Sequence, residues 1–262
     1  MKKILLTSIF INILTITSVF AQTQSGFRIH ANYIPKGISD LNDRLKSFDA
    51  NCTDCETYKA TETTNNIEIS AEIVNQFHDN LTVGGGFGFI RSDEGKFKFS
   101  DTFVIEGSNV NGVGNYNYSV QSLPVFVNTY AFYPFETFRP YVGVGVGYIF
   151  AWGFEDFNMD FGDRGSTEVN NTYNGHGFGF QLQTGTTIKL SDTFTLNLGI
   201  KYRIANITNL DGNLDINDDI SDDFKNTLEY TNIIDRYART SPLDLDLGGF
   251  GISIGVSLGQ GN

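Results

Sequence analysis

The sequence predicts an all-β fold: an eight-stranded antiparallel up-and-down transmembrane β-barrel with short periplasmic turns and four long extracellular loops. Three observations predict it. The chain starts with a segment typical of exported proteins. The rest alternates large apolar residues with small or polar ones at a period of two. The connections between the alternating segments are short and long in turn, as in bacterial outer-membrane barrels.

The N-terminal segment has the organisation of a secretory signal peptide. Lys2 and Lys3 precede a mostly apolar run that ends on the small residue Ala21. The alternative is an N-terminal membrane anchor, but the run contains Thr, Ser and Asn and is short for a helix of roughly 20 apolar residues. We therefore expect residues 1–21 to be removed, leaving residues 22–262 as one barrel domain in the bacterial outer membrane.

Composition and charge narrow the class of protein. Removing Lys2 and Lys3 from the 18 basic residues leaves 16 against 30 acidic ones, a net charge of −14. Nucleic-acid binding needs a basic surface and is therefore not expected. The chain is rich in Gly, Phe and Tyr and poor in Pro and Met. Gly disfavours helices while Phe and Tyr favour strands, which supports a single all-β domain.

Eight segments have the period of a β-strand. They are residues 27–34, 67–77, 81–91, 118–133, 139–152, 177–190, 194–204 and 243–258.

The clearest alternation is in the first three segments and in the fifth, sixth and seventh. Large apolar residues occupy every second position, and charged, polar or glycine residues stand between them. The fourth segment alternates poorly. The eighth alternates regularly only in its second half, because its first half, Leu-Asp-Leu-Asp-Leu, is out of phase. A β-bulge at Gly248 and Gly249 would reset the register there.

The connections between the segments also alternate in length. Residues 78–80, about 134–138 and 191–193 form short turns, while residues 35–66, 92–117, 153–176 and 205–242 form long connections. Long connections without structure would count against a compact soluble domain. Short periplasmic turns and long extracellular loops are instead typical of outer-membrane barrels.

The segment RPYVGVGVGYIFAW, residues 139–152, shows which face meets lipid. Its valines and aromatic residues are predicted to face lipid, and its glycines a narrow lumen that side chains fill. The alternative is a soluble β-sandwich or lipocalin-like barrel with its large residues inside. Charged residues on the small-residue face favour a polar lumen. Aromatic residues near the ends of the other face favour a belt at the lipid headgroups, and they are Tyr133, Tyr141, Trp152, Phe194 and Tyr202.

The segment FETFRPYVGVGVGY, residues 135–148, resembles small outer-membrane barrels of the OmpA, OmpX and OmpW type. It most resembles the outer membrane protein beta-barrel domain group common in Bacteroidota. The resemblance covers essentially the whole mature chain as a pattern. It implies an eight-stranded barrel that the barrel-assembly machinery inserts. Members often end on an aromatic residue, whereas this chain ends on Asn262.

Several charged residues are predicted to point into the lumen, where an unpaired charge is costly. We expect Arg28 to pair with Glu68 or Glu72, and Lys201 or Arg203 to pair with an aspartate of the eighth strand. The full inward set is Arg28, His30, Glu68, Glu72, Lys189, Lys201, Arg203, Asp244 and Asp246. A structural plug is the simpler interpretation of this set. A gated polar path for ions or small solutes is the alternative, and a general porin is not expected from eight strands.

Cys52 and Cys55 form the motif CTDC in the first long connection. In an exported protein this spacing favours a local disulfide over cytosolic redox chemistry. The ring it closes is short, so its stabilisation would be modest. Two thiolates alone lack the further ligands of a zinc site, and no metal or other cofactor is expected.

The fourth long connection contains the acidic segment DGNLDINDDISDDF, residues 211–224. Its acidic and amide residues fall at alternate positions, as in a calcium-binding loop. The match fails because the sixth position is Ile216 instead of Gly and the twelfth is Asp222 instead of Glu. A solvated acidic loop is the simpler interpretation, and divalent ions bridging it to lipopolysaccharide are the alternative.

Catalysis requires a nucleophile and a base within hydrogen-bond reach. The histidines are His30, His78 and His176, and only His30, with Ser70 and Glu72, could meet inside the barrel. A filled lumen would not admit a lipid substrate, so the chain is not expected to be an enzyme.

Three functional hypotheses follow. The first is a structural or surface-interaction role of a monomer through acidic extracellular loops, with outer-membrane lipid and lipopolysaccharide around it and a possible extracellular partner at residues 35–66 and 205–242. The second is an OmpW-like narrow channel for small or apolar solutes. The third is lipid-modifying catalysis.

Overall fold

The computed structural model describes residues 25–39, 42, 43, 46, 57–105, 108–133, 135, 138–220 and 243–259. These residues form one antiparallel sheet of eleven strands. The strands are β1 Ser25–Ile34, β2 Thr57–Thr61, β3 Asn66–His78, β4 Leu81–Ser92, β5 Gly95–Ile105, β6 Ser108–Phe132, β7 Phe138–Asp160, β8 Gly165–Lys189, β9 Phe194–Ile220, β10 Leu243–Asp246 and β11 Gly249–Leu258. Within these residues, no helix is long and apolar enough to cross a membrane.

The strands close into a ring of eight. The order around the ring is β1, β3, β4, β6, β7, β8, β9 and β11, and β11 pairs with β1 to close it. β2 and β5 pair with each other and prolong the β3–β4 pair beyond the ring. β10 prolongs β11 along β9. Every neighbouring pair is antiparallel, so the structure confirms the predicted eight-stranded up-and-down barrel.

The strands are longer than predicted, and they occupy part of each of the four segments predicted as long loops. β6 to β9 are 23 to 27 residues long and reach well into three of the predicted loops. β2 and β5 also lie inside predicted loops. A tilted strand needs only roughly 9–11 residues to cross a bilayer. The barrel therefore continues beyond the membrane as an extracellular sheet.

The periplasmic half of the ring has large apolar side chains outside. On β7, Val142, Val144 and Val146 are each more than half exposed, while the glycines between them face the lumen. β3, β4 and β11 expose Ile69, Phe87 and Ile252 in the same way. Such a surface is stable only in lipid, and closure of the ring leaves no strand edge unpaired there.

The extracellular half has the opposite polarity. Further along β7, Phe157 and Met159 are buried inside, and Asp156 and Asn158 face outward. On β6 the outward residues likewise change from Val127 and Val125 to mostly polar residues above Leu123, with Val113 as an exception. The interior of this half is an apolar core of Ile38, Phe97, Phe99, Val110, Tyr116, Tyr118, Val120, Phe126, Ile149, Ala151, Phe157, Met159, Phe161, Val169, Tyr173, Ala205, Ile207, Leu210, Leu245 and Leu247.

This inversion corrects the prediction of a register-resetting bulge at Gly248 and Gly249. Asp246 faces Asn206 and Gly249 faces Arg203, which is one continuous register, and the register shift of this segment lies instead between Leu243 and Leu245. The pairing ladder is interrupted here, and Gly249 has a φ of 146° that favours glycine, but the strand keeps its phase. The hydrophobic pattern reverses because the surroundings reverse, from lipid outside to water outside.

Candidate functional site

The centre of the lumen is a buried charge cluster around Glu68 of β3. Lys201 Nζ lies 3.2 and 3.3 Å from the two carboxylate oxygens of Glu68, and Arg203 also donates to this carboxylate. The side chains of Glu68, Lys201 and Arg203 are 2%, 6% and 0% exposed. β3 and β9 are not neighbours in the ring, so the cluster ties opposite walls of the barrel together.

A second carboxylate, Glu72, lies two inward positions closer to the periplasm on β3, with Ser70 between the two. It accepts hydrogen bonds from Asn128 Nδ2 at 2.7 Å and from the Tyr130 hydroxyl at 2.9 Å. Asn128 Oδ1 in turn accepts from Gln181 Nε2 at 2.5 Å. The network runs from β3 through β6 to β8, so these polar side chains also fill the lumen from wall to wall.

Arg28 of β1 lies beside this second network. It is opposite Glu72 in the strand register, and its Cζ is 4.8 Å from the centre of the Tyr130 ring and 5.6 Å from that of Phe132. A guanidinium over aromatic faces gains a cation–π attraction. The structure therefore places Arg28 next to Glu72, one of the two carboxylates predicted for it.

The glycines of residues 139–152 make room for these side chains. Gly143 and Gly145 face Tyr130 and Asn128 directly across the β6–β7 pair. A Cβ at Gly145 would lie 2.0 Å from Asn128 Oδ1, and one at Gly143 would lie 2.6 Å from the Tyr130 ring. Small residues on β7 thus allow large polar ones on β6, and the lumen is full at this level.

The cavity at the centre of the lumen is small. The cavity among His30, Glu68, Glu72, Asn128 and Lys201 has a volume of about 30 Å³. That is room for about one water molecule.

His30 lies beside this cavity. Its Nδ1 is 3.4 Å from Ser253 Oγ, which is a long contact for a hydrogen bond. The predicted partners Ser70 and Glu72 are among the lining residues of the same cavity. The space around them cannot hold a substrate larger than water.

The segment that follows β1 packs against the apolar core. Ile38 is fully buried in the apolar core, and its N–H donates to Thr63 Oγ1 at 2.8 Å. Asn42 Oδ1 accepts from the Thr63 N–H at 3.0 Å and from the Tyr118 hydroxyl at 2.5 Å. Burial raises the pKa of Tyr118 to about 12. The sequence contains no signal for this contact, because its residues come from three distant segments.

Asp244 and Asp246 were predicted to face the lumen, and this prediction was wrong. Both lie on the outer face of the extracellular half, where Leu245 and Leu247 occupy the inside. Asp246 pairs with Lys36 at 2.5 Å.

The predicted pairing of Lys201 or Arg203 with these aspartates is therefore also wrong, since both cations bind Glu68. Lys189, predicted to face the lumen, pairs with exposed Asp192 at the periplasmic turn.

Other predicted features fall partly or wholly outside the described residues. Cys52 and Cys55 lie there, as does the signal peptide. Residues 211–220 of the acidic segment belong to β9, so this part is a strand and not a loop. Tyr141, predicted to join the lipid-facing belt, is buried inside against Tyr130 and Phe132.

No group of three His, Cys, Asp or Glu side chains suited to a metal occurs within the described ranges. His176 makes a different contact: its Nδ1 is 2.5 Å from the Tyr148 hydroxyl on the outer face.

Comparison with known proteins gives one family and a set of distant structural similarities. The family model described as outer membrane protein beta-barrel domain matches residues 9–233. Comparison with curated proteins found no significant match.

Among solved structures, the chain is similar to the outer membrane protein OprG from Pseudomonas aeruginosa, at 14% identity over 90% of this chain and 96% of that chain, with a TM-score of 0.38. Neisserial surface protein A is similar at 9% identity over 90% and 97% of the two chains, with a TM-score of 0.38. AlkL, solved in lipid bilayers, is similar at 18% identity over 90% of each chain, with a TM-score of 0.35. These values carry no argument about function. The family match covers most of the sequence, and the chain therefore belongs to the outer membrane protein beta-barrel domain family of bacterial outer-membrane proteins.

Proposed function

We propose that this barrel is a non-catalytic surface protein whose extracellular sheet is an interaction platform. The observation that carries the proposal is the polarity inversion along the strands. β5 to β9 extend beyond the membrane and enclose an apolar core of their own. Strands that pack on a core are held in one arrangement, so they present side chains in fixed positions outside the cell.

The filled lumen supports an interaction role over transport. The charge cluster around Glu68 and the network around Glu72 leave a cavity of about 30 Å³ between them. The apolar core, which includes Ile38, lies above this level, and Asn42 donates to the Thr63 carbonyl beside it. A hydrated ion crossing the barrel would have to displace both the ion pairs and the core.

The outer surface of the extracellular sheet is acidic over β8 and β9. Asp211, Asp215 and Asp219 of β9 face outward, next to Glu168 of β8. Burial and the neighbouring Glu168 raise the pKa of Asp156 on β7. An extracellular partner for this side would carry positive charge or hydrogen-bond donors.

Complementation with a shortened barrel tests the proposal. In a strain that lacks this protein, the intact chain is compared with a variant in which residues 154–173 are replaced by a tight turn. A gel shift between boiled and unboiled samples reports whether each barrel is folded. We expect the shortened barrel to insert and to fail to restore the strain's surface phenotype. Full restoration by the shortened barrel would refute the proposal.

A narrow conduit is the second candidate, and one observation favours it. A cavity of about 520 Å³ lies on the outer wall where β1 ends before Pro35, and its lining includes Tyr202 and Phe250 together with the ion pair of Lys36 and Asp246. A small amphipathic solute could enter the wall there, at the boundary between the lipid-facing and the extracellular half. Planar-bilayer recording and uptake by vesicles test this candidate. Conductance above that of protein-free bilayers, or solute uptake, would support the conduit and count against a purely surface role.

A further inference from the structure

Two rows of polar side chains run across five strands on the outer face of the extracellular sheet. Each member faces its neighbour directly in the strand register. The lower row is Lys96, Asn117, Asp156, Asn170 and Asp215, and the upper row is Lys98, Asn115, Asn158, Glu168 and Asn217. We call these two sets the amide rows. All ten side chains are exposed or half-exposed.

The composition of the amide rows runs against the preference of strands. Seven of the ten residues are Asn or Asp, which are depleted in strands, at positions where Thr or Tyr would stabilise the sheet more. Repeated departures from the amino-acid preference of strands at neighbouring positions are expected where a surface has a function. A face that needed only to be soluble would be equally well made of Thr and Lys.

The position of the amide rows relative to the membrane indicates which molecules surround them. On β7 the outward residues proceed from Tyr148 and Phe150 through Trp152 and Phe154 to Asp156. Aromatic residues of this kind mark the headgroup level of the membrane. Asp156 is four residues beyond Trp152, which at about 3.4 Å per residue is roughly 14 Å along the strand and about 10 Å in height for a strand tilted by about 40°. The polar headgroups of outer-leaflet lipids occupy this height beside any barrel.

We propose that the amide rows bind the sugar headgroup of an outer-leaflet glycolipid. The inference rests on the proposed surface role and names its partner. A row of amides and carboxylates offers both donors and acceptors, which is what sugar hydroxyls require. The rows carry two lysines on β5, three carboxylates on β7 to β9 and five amides, a net charge of −1. Half of their side chains are uncharged amides, which suits the hydroxyls of a sugar better than it suits a metal ion.

The geometry suits a chain of sugar rings lying across the strands. Neighbouring members of one row are about 4.8 Å apart, and the two rows are about 6.8 Å apart along the strands. Asn170 Nδ2 donates to Glu168 Oε1 at 3.2 Å, which links the rows on β8. Phe154 and Trp152 lie directly below and offer apolar faces to the part of the headgroup nearest the lipid. The surface is therefore continuous with the membrane-facing wall.

A binding comparison tests the inference. The purified intact barrel is titrated with lipopolysaccharide that carries its core sugars and with lipid A that lacks them. We expect the sugar-bearing lipid to bind about tenfold more tightly, as one or two additional hydrogen bonds would produce. The double variant Asn158→Thr with Asn170→Thr should lose this difference. Thr favours strands, so the variant is expected to fold.

Asn111→Thr is the matched control. Asn111 is exposed on β6 and faces Thr102, outside the amide rows. Equal binding of the two lipids by the intact barrel, or an unchanged preference in the folded double variant, would overturn the inference. So would tighter binding of a free polysaccharide than of the sugar-bearing lipid. If the double variant does not show the heat-dependent gel shift, Asn158→Thr alone replaces it and must lower the preference.

The result of the lipid-binding comparison can be told apart from the result of the complementation test of the surface role. If the shortened barrel restored the phenotype while the row variants still lost the sugar preference, glycolipid binding would stand and the interaction role would fail. If the preference were absent while complementation failed as expected, the surface would serve a different partner.

Discussion

Replacing Glu68 by Gln tests the lumen cluster most severely. Glu68 is the only acceptor shown for both Lys201 and Arg203 among the described contacts. Glu68→Gln keeps the shape of the side chain and removes its charge. Two cations would then remain in the lumen without a carboxylate within ion-pair distance.

The magnitude follows from burial. All three side chains are 6% exposed or less, so water screens them little. Removing one partner from a buried ion pair costs about 3–5 kcal/mol, because the remaining charge is left without compensation. We therefore expect Glu68→Gln to lower the free energy of unfolding by about 3 kcal/mol or more.

The assay is equilibrium unfolding by urea in lipid vesicles, with folded barrel read from the gel shift on boiling. Glu94→Gln is the matched control, since Glu94 pairs with Lys96 at 2.9 Å on the surface. Exposed pairs contribute about 0–1 kcal/mol, so this control should change little.

Lys201→Met gives a second measurement on the same cluster. It leaves Glu68 paired with Arg203 alone, and its loss should be smaller than that of Glu68→Gln. A loss below about 1 kcal/mol for Glu68→Gln would refute the reasoning, because it would mean that water screens the cluster.

Three further outcomes follow from the structure. Val127→Arg, on the lipid-facing part of β6, should lower the free energy of unfolding in vesicles by about 2–4 kcal/mol. Asn111→Arg, on the same face above the membrane, should change it by no more than about 0.5 kcal/mol. Equal effects would contradict the polarity inversion. Gly145→Val should destabilise the barrel by about 1–3 kcal/mol in the same unfolding assay, because Asn128 occupies the space that the new side chain needs. Gly85→Ala, where a Cβ meets nothing within 4 Å, is the control and should be neutral or slightly stabilising. Burial raises the pKa of Tyr118 to about 12, so the folded state favours the neutral phenol. The contribution of Tyr118 to stability should be constant below pH 10 and fall as pH rises from about 10 to about 12. Tyr118→Phe should therefore reduce the loss of stability over this range, as followed by tyrosinate absorbance and unfolding, and an unchanged loss would contradict the assignment.

The strands of the periplasmic half could be predicted because one rule holds throughout them. Large residues face lipid and small or polar residues face the lumen, so the alternation is visible in residues 139–152 and 194–204. The rule reverses at the membrane surface. β6 crosses that boundary near Leu123, which is why the alternation of residues 118–133 looked poor.

The reversal also explains the errors around the eighth strand. If the leucines beside Asp244 and Asp246 faced lipid, the strand would have to change phase between its two halves. A bulge is the simplest way to make that change. In the structure the phase is kept and the environment changes. No single segment of sequence shows where the membrane ends, so the side chains near the boundary could not be assigned from the pattern alone.

Contacts within the lumen were only partly predictable. Charge on the inward face indicated that Arg28, Glu68 and Lys201 belong to a buried cluster. Their partners depend on which walls of the ring face each other across the lumen, which the order of strands does not specify. The roles of Tyr130 and Asn128 were missed because the phase of β6 was uncertain. Their signal was the run of glycines opposite them on β7.

Site-directed spin labelling along β7 tests the polarity inversion most directly. Labels are placed at even and odd positions from 142 to 160 in a background without Cys52 and Cys55, and their accessibility to oxygen and to a water-soluble relaxation agent is measured in bilayers. We expect labels at the even positions from 142 to 150 to be reached by oxygen and labels at 156, 158 and 160 to be reached by the water-soluble agent. Labels at 157 and 159 should be reached by neither. Ready access of the water-soluble agent to positions 157 and 159 would mean that this segment is a solvated loop, and the account of an extracellular core would be wrong.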